Sequence, residues 1–152
     1  MSLSLRRLTA DEIEALAPEI ERGYAADIER NGGLSAAAAR QKAAEDTPRV
    51  LADSNNVLYA LEDDGERVGH LWVGEREVQG RRFFWLWDVF VDEVHRGRGL
   101  GRLAMQLAEE EARRRGIARV ELNVFGGNVV ARSLYRSLGY DEVSVWMGKD
   151  LT

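Results

Sequence analysis

The stretch Arg96-Gly97-Arg98-Gly99-Leu100-Gly101-Arg102 places three glycines and three of the chain's arginines within seven positions. Glycine accepts left-handed backbone and lets bare N–H groups approach an anion. The arginine fork donates two hydrogen bonds to a phosphate. Leu100, Leu103, Ala104, Leu107 and Ala108 then recur at helical spacing, so the positive end of a helix dipole faces the same loop. The chemistry predicted is diphosphate binding. Three arginines at a positive helix end repel one another and the dipole, which predicts an anion among them.

Other reactive types are sparse. Asp88 interrupts the apolar run Trp85-Leu86-Trp87-Asp88-Val89-Phe90-Val91. An acid there costs too much to bury unpaired, so it faces a cleft or a partner. Asn128, Ala131, Arg132 and Tyr135 are spaced to share one helix face, with Leu134 and Leu138 on the buried side. Tyr135 is either a reactive phenol or a packed aromatic, and Asn128 is a helix cap, a ligand contact, or both. His95, beside the glycine stretch, is expected in solvent, with a diphosphate contact as the alternative. His70 has no acid or serine partner visible in the sequence. Two distant histidines and no cysteine leave no metal site, no disulfide and no cysteine nucleophile.

Two familiar phosphate loops fit poorly. A P-loop requires Gly-Lys-Ser/Thr, and no Lys-Ser or Lys-Thr pair exists. Gly99-Leu100-Gly101-Arg102-Leu103-Ala104 matches a dinucleotide fingerprint, with Glu121 about 20 residues on. However, Asp92-Glu93-Val94-His95-Arg96 separates those glycines from the strand, and only one βαβ unit is evident.

The elements that position these residues follow from periodicity. Leu3–Leu8 alternates as an edge strand. Thr9 and Glu12 form a capping box for a helix bearing Ile13, Leu16, Ile20 and Tyr24, with Pro18 as a kink or break. Asn31-Gly32-Gly33 ends it. Ser35 caps a second helix, Ala36 to Ala52, which Pro48 interrupts. Val57–Leu61, Val68–Glu75 and Phe83–Val91 form a meander around Asp63-Asp64-Gly65-Glu66 and Gln79-Gly80 turns. A helix from Leu100 stops at Gly116, and Ala118–Phe125 makes a parallel partner for the preceding strand. Arg113-Arg114-Arg115 is read as last-turn cations rather than a basic patch. Val129–Leu138 is the last helix and Tyr140–Gly148 a final strand.

The expected order is β-α-α-β-β-β-α-β-α-β. This is an α/β (mixed α+β), three-layer fold with a mostly antiparallel mixed sheet, a central parallel βαβ unit and helices on both faces. With 152 residues, a single domain spanning 1–152 is expected. A net charge of −5 argues against a nucleic-acid surface. No apolar run is long enough for a membrane helix, and the N-terminus lacks a signal-peptide core, so a cytoplasmic location is expected.

At this point the chain resembles the GNAT superfamily of N-acetyltransferases. Arg96-x-x-Gly99-x-Gly101 fits its central motif. Asp88-Val89-Phe90-Val91-Asp92 looks like its fourth strand. Asn123 to Asn128 and Ala131 to Tyr140 look like its second motif. The resemblance implies acetyl-CoA as cofactor. Its diphosphate would lie on Arg96, Gly97, Arg98, Gly99, Leu100, Gly101 and Arg102, and its pantetheine arm against Val89, Phe90 and Val91 where the strand splays from its parallel neighbour. Asn128, Ala131 and Tyr135 complete the cofactor contacts.

The resemblance also implies direct transfer to a primary amine of a small molecule or peptide. Tyr135 would serve the leaving thiolate, since a phenol of pKa about 10 suits a thiol near 8.5. Asp88 is the candidate amine-binding group or base. Asn123 stands where some members carry a glutamate base and would orient water instead. Tyr24, Asp27, Trp87 and Asp88 are the candidate acceptor contacts, with Glu29, Trp72 and Trp85 nearby in the same reading. A homodimer is left open. The rival reading is a non-catalytic acyl-CoA sensor on the same fold.

Overall fold

The structure, a computed structural model, describes residues 2–152. The elements run β1 (Leu3–Arg7), α1 (Ala10–Asn31), α2 (Ala36–Leu51), β2 (Asn56–Asp63), β3 (Glu66–Val78), β4 (Arg81–Val91), a 3-10 turn (Glu93–His95), α3 (Leu100–Arg114), β5 (Val120–Leu122) and α4 (Val129–Ser137). The sheet order is β1-β2-β3-β4-β5. The first four strands pair antiparallel, and β4 pairs parallel to β5. Both tight hairpins carry two consecutive positive φ values: Asp64 and Gly65 at 51° and 84°, Gln79 and Gly80 at 51° and 79°. That is the turn whose twist matches antiparallel strands.

Each face of the sheet has its own core. Leu61, Leu71, Val73, Phe84 and Leu86 face α3, which contributes Leu100, Ala104, Met105 and Ala108. Leu58, Ala60 and Trp72 face α1 through Leu16 and Ile20. The C-terminal end of α3 is fastened to the sheet by ions. Glu111 accepts from the Tyr59 hydroxyl at 3.1 Å, Arg115 Nε at 2.9 Å and Arg114 Nε at 2.8 Å. Arg115 also donates to Tyr59 and Glu75 and lies over the Phe84 ring. The guanidinium of Arg114 first, with Arg115 and Tyr59 adding to it, holds the Glu111 carboxyl at about 2. Arg114 and Arg115 are therefore last-turn cations with partners, as their position predicts.

Four expectations need correction. No strand follows α4: residues 141–152 are exposed and lie in no helix or strand. The parallel pair consequently lies at the edge of the sheet, not its centre, and β5 is three residues long rather than eight. Pro18 and Pro48 break neither helix; both are exposed, so the carbonyls they leave without an intrahelical donor face water. The capping box at Thr9 and the Ser35 cap form as expected.

Candidate active site

The site begins with a register slip in β4. Val73 lies opposite Leu86 and Trp72 opposite Asp88, so Trp87 is an extra residue, a β-bulge. Trp87 and Asp88 thereby both face α1 and α2, while Val89 and Val91 face the α3 core. Trp87 is held there. Its Nε1–H donates to Asn56 Oδ1 at 3.0 Å, and Asn56 Nδ2 donates to Val50 O at 2.9 Å. Gly74 leaves the room that the Asn56 side chain occupies.

Pairing between β4 and β5 stops at the same place. It covers only Phe84, Trp85 and Leu86 against Val120, Glu121 and Leu122. From Trp87 to Val91 the β4 edge away from β3 has no strand beside it. Its N–H and C=O groups form a ready-made template for an extended amide chain. One of these carbonyls is taken: Arg96 Nε donates to Val91 O at 2.9 Å, with its guanidinium 5.1 Å over the Phe90 ring.

The strand leads through the 3-10 turn to the glycines. Gly97 and Gly99 have φ of 80° and 75°, where a side chain is strained, and the Cβ positions of both look into open space. Gly99 is the N-cap of α3. The N–H groups of Gly99, Leu100, Gly101 and Arg102 therefore have no intrahelical acceptor and are free for an anion. Gly101 differs: a Cβ there would stand in ordinary contact, 3.5 Å, with Leu134 of α4.

The arginines do not crowd one another as expected. Arg96 lies along β4. Arg98 reaches Asp63 Oδ2 at 2.9 Å and His95 Nδ1 at 3.2 Å. Arg102 donates to Ser137 on α4 at 2.7 Å. Each charge has a protein partner, so the fold does not need an anion to relieve repulsion. His95 is half-buried between Arg98 and Glu66, not in solvent. Glu121 is engaged by Arg81 and Arg119, which removes it as the ribose ligand of a dinucleotide site.

Helix α4 carries the phenol. Asn128 caps it by accepting from Ala131 N–H at 3.2 Å. Tyr135 is largely buried and meets Tyr140 edge-on at 5.9 Å. Burial first, and the nearby Asp88 carboxylate second, push the Tyr135 hydroxyl up to about 12. Asn123 is exposed, just beyond the end of β5.

Asp88 has a partner that the sequence does not advertise. His70 Nε2 lies 2.8 Å from Asp88 Oδ2, and the His70 ring stacks on Phe90 at 5.3 Å. The imidazole is buried, whereas the carboxylate side chain is 38% exposed, so one end of the dyad is open. The antiparallel register makes this pairing: His70 opposes Phe90 and Trp72 opposes Asp88.

The proposed acceptor side is more self-contained. The Tyr24 hydroxyl donates to Asp46 at 3.3 Å and ties α1 to α2. Asp27 is ion-paired with Arg30. Asn31, read from the sequence only as part of the stretch that ends the first helix, reaches the Gly126-Gly127 turn. Its Oδ1 lies 2.5 Å from where a Cβ on Gly127 would stand, so the end of α1 adjoins the start of α4. Among the described residues there is no cluster suited to a metal and no helix long and apolar enough to cross a membrane.

Known proteins share this fold. Residues 22–140 match the model of the acetyltransferase (GNAT) family. The N-acetyltransferase YdgE of Bacillus subtilis is 29% identical over 99% of both chains. The crystal structure of the acetyltransferase YycN of Bacillus subtilis superposes with a TM-score of 0.88 and 26% identity, covering 99% of both chains. An acetyltransferase from Clostridium acetobutylicum, crystallised with acetyl-CoA, shares the fold at a TM-score of 0.68 and 14% identity. It covers 98% of this chain and 96% of that one.

Proposed function

Starting from a chain that belongs to the acetyltransferase (GNAT) family and is an N-acetyltransferase, we propose that it takes the acetyl group from acetyl-CoA and passes it directly to a primary amine of a small molecule or peptide. The observation that carries this reading is the run of unpaired β4 backbone, Trp87 to Val91, leading into left-handed glycines at the head of α3. Those groups fit the cofactor in order. The turn from Gly97 to Arg102 offers N–H donors to the diphosphate, and the β4 edge offers amide-like pairing to the pantetheine. The Val91 carbonyl, already bonded to Arg96, serves as an anchor for the turn.

Bound acetyl-CoA supplies an activated acyl carbon. Asp88 holds the incoming amine, which attacks in its neutral form after releasing one proton to solvent; as the N–C bond forms the nitrogen becomes acidic, and Asp88 accepts the proton it then loses. His70 is a positioning residue: it fixes one carboxylate oxygen and leaves the other to the amine. Backbone N–H groups of β4 polarise the carbonyl. The C–S bond breaks and sulfur leaves with its electron pair. Tyr135 stabilises that thiolate as a hydrogen-bond donor. As the C–S bond breaks, the Tyr135 proton passes to the sulfur, and the phenol, raised by burial and by Asp88, recovers its proton from solvent. Asn123, exposed at the end of β5, orients water near the amine, and Asn128 keeps its amide N–H groups for the pantetheine while its oxygen caps α4.

Trp87 and Asp88 form the acceptor contacts. Tyr24, bonded across to Asp46 on α2, and Asp27, paired with Arg30 on its own helix, shape the wall. Thiol release from acetyl-CoA across a panel of polyamines, aminoglycosides, amino acids and peptide N-termini tests the reading. Cationic primary amines are expected to turn over. Tight CoA binding by calorimetry with no thiol release on any amine would favour the sensor alternative.

A further inference from the structure

We propose that residues 141–152 are an exchange arm. Two copies of this chain dimerise, and each arm adds a strand to the open edge of the other copy's β5 and covers its α4.

Three observations on separate parts of the chain converge. The arm reads as a strand, with Val143, Val145, Trp146 and Met147 in five consecutive positions, yet all of these are exposed and Trp146 is 99% so. Beyond Glu142 it makes no hydrogen bond or ion pair with the rest of the described chain. Its root alone is tied, Glu142 accepting from Arg132 at 3.0 Å and Arg136 at 2.9 Å on α4. The second observation is the sheet edge. β5 ends the sheet with only three residues, and its outer N–H and C=O groups face no strand. The third is α4. It is strongly amphipathic, yet none of its residues is fully buried, and Val129 and Val130 are exposed.

An apolar strand without a sheet, a sheet edge without a strand and a helix without a cover describe one missing contact. The occupant is a second copy because the missing strand is the one this chain carries immediately after α4. The same segment of another copy makes the contact that a closed chain would make with itself. A reciprocal exchange uses both open edges at once, so assembly stops at two instead of growing along the edges. Acetyl transfer plays no part in this inference.

Sedimentation equilibrium of the full chain is expected to give twice 17.1 kDa. Hydrogen exchange is expected to show protected amides from Val143 to Met147, with protection lost on dilution in step with the mass. Trp146→Glu, at a position exposed within one copy, is expected to give a monomer with unchanged circular dichroism. Because the chain has no cysteine, a V120C/V145C double variant reads the connection directly. Oxidation is expected to give a covalent dimer. A cross-link confined to a single chain would overturn the proposal, since the arm would then close on its own β5. A wild-type monomer would overturn it, and so would a dimer whose arm amides exchange freely or one that survives Trp146→Glu.

Discussion

The two sides of the site are built from different materials. On the proposed cofactor side, from Trp87 through the glycine turn to α3, the groups on offer are backbone N–H and C=O, set by a bulge, two left-handed glycines and a helix start. On the acceptor side, at the ends of α1 and α2, they are side chains, and most are already engaged: Tyr24 with Asp46, Asp27 with Arg30. A backbone site reads the one molecule whose shape it matches and tolerates surface drift around it. A side-chain site can be retuned by single substitutions without disturbing the sheet. The contrast explains why the donor is easier to name than the acceptor.

The largest expected break in this contrast is Tyr135→Phe. Removing the hydroxyl proposed to meet the reacting sulfur should lower kcat about 100-fold, within the range for a positioned acid–base group. The KM for acetyl-CoA should stay level, because affinity comes from backbone. Unchanged turnover would remove Tyr135 from the mechanism. Gly99→Val comes next and should do the reverse. A β-branched residue at a φ of 75° costs about 2 kcal/mol, so CoA affinity by calorimetry should fall roughly thirtyfold. A variant that binds CoA normally would show that the turn does not carry the diphosphate.

Glu111 sharpens the comparison by testing the support rather than the site. Its carboxyl titrates at about 2 in the fold against an ordinary 4.5. Its contribution is complete above pH 4.5 and drains away as pH falls toward 2. Glu111→Gln should cost ~1.5 kcal/mol, or roughly 3–6 °C in Tm at neutral pH, and should flatten the acid limb of a Tm–pH profile. CoA affinity measured well below Tm should not change. The smallest effect belongs to Tyr24→Phe. Losing a 3.3 Å bond between helices should cost ~0.5–1 kcal/mol and leave the amine KM unaltered. A several-fold rise in that KM would return Tyr24 to the acceptor contacts.

How much was legible in the sequence follows the same division. The glycines, the Thr9 capping box, the Ser35 cap and the switch from period two to helical period are local, and each lands within a few residues of its element. The His70–Asp88 dyad was invisible because its members are 18 residues apart and meet only through strand register, which the bulge at Trp87 displaces. Charge spacing misled at the arginines: Arg96, Arg98 and Arg102 are close in sequence but diverge toward Val91, Asp63 and Ser137. The segment after Tyr140 was readable as a strand by composition. Composition does not say whose sheet a strand joins.

The bulge at Trp87 bears on how this fold can change over time. Leu86 and Val89 face one core, and Trp87 and Asp88 both face the other. Deleting Trp87 would leave strict alternation intact: Leu86 in, Asp88 out, Val89 in. The inside–outside pattern of the sheet is therefore indifferent to that residue. Trp87 is surplus to that pattern but not to the packing: its ring lies against Trp72 and Trp85 and its Nε1–H holds Asn56, at the point where the pairing of β4 with β5 ends.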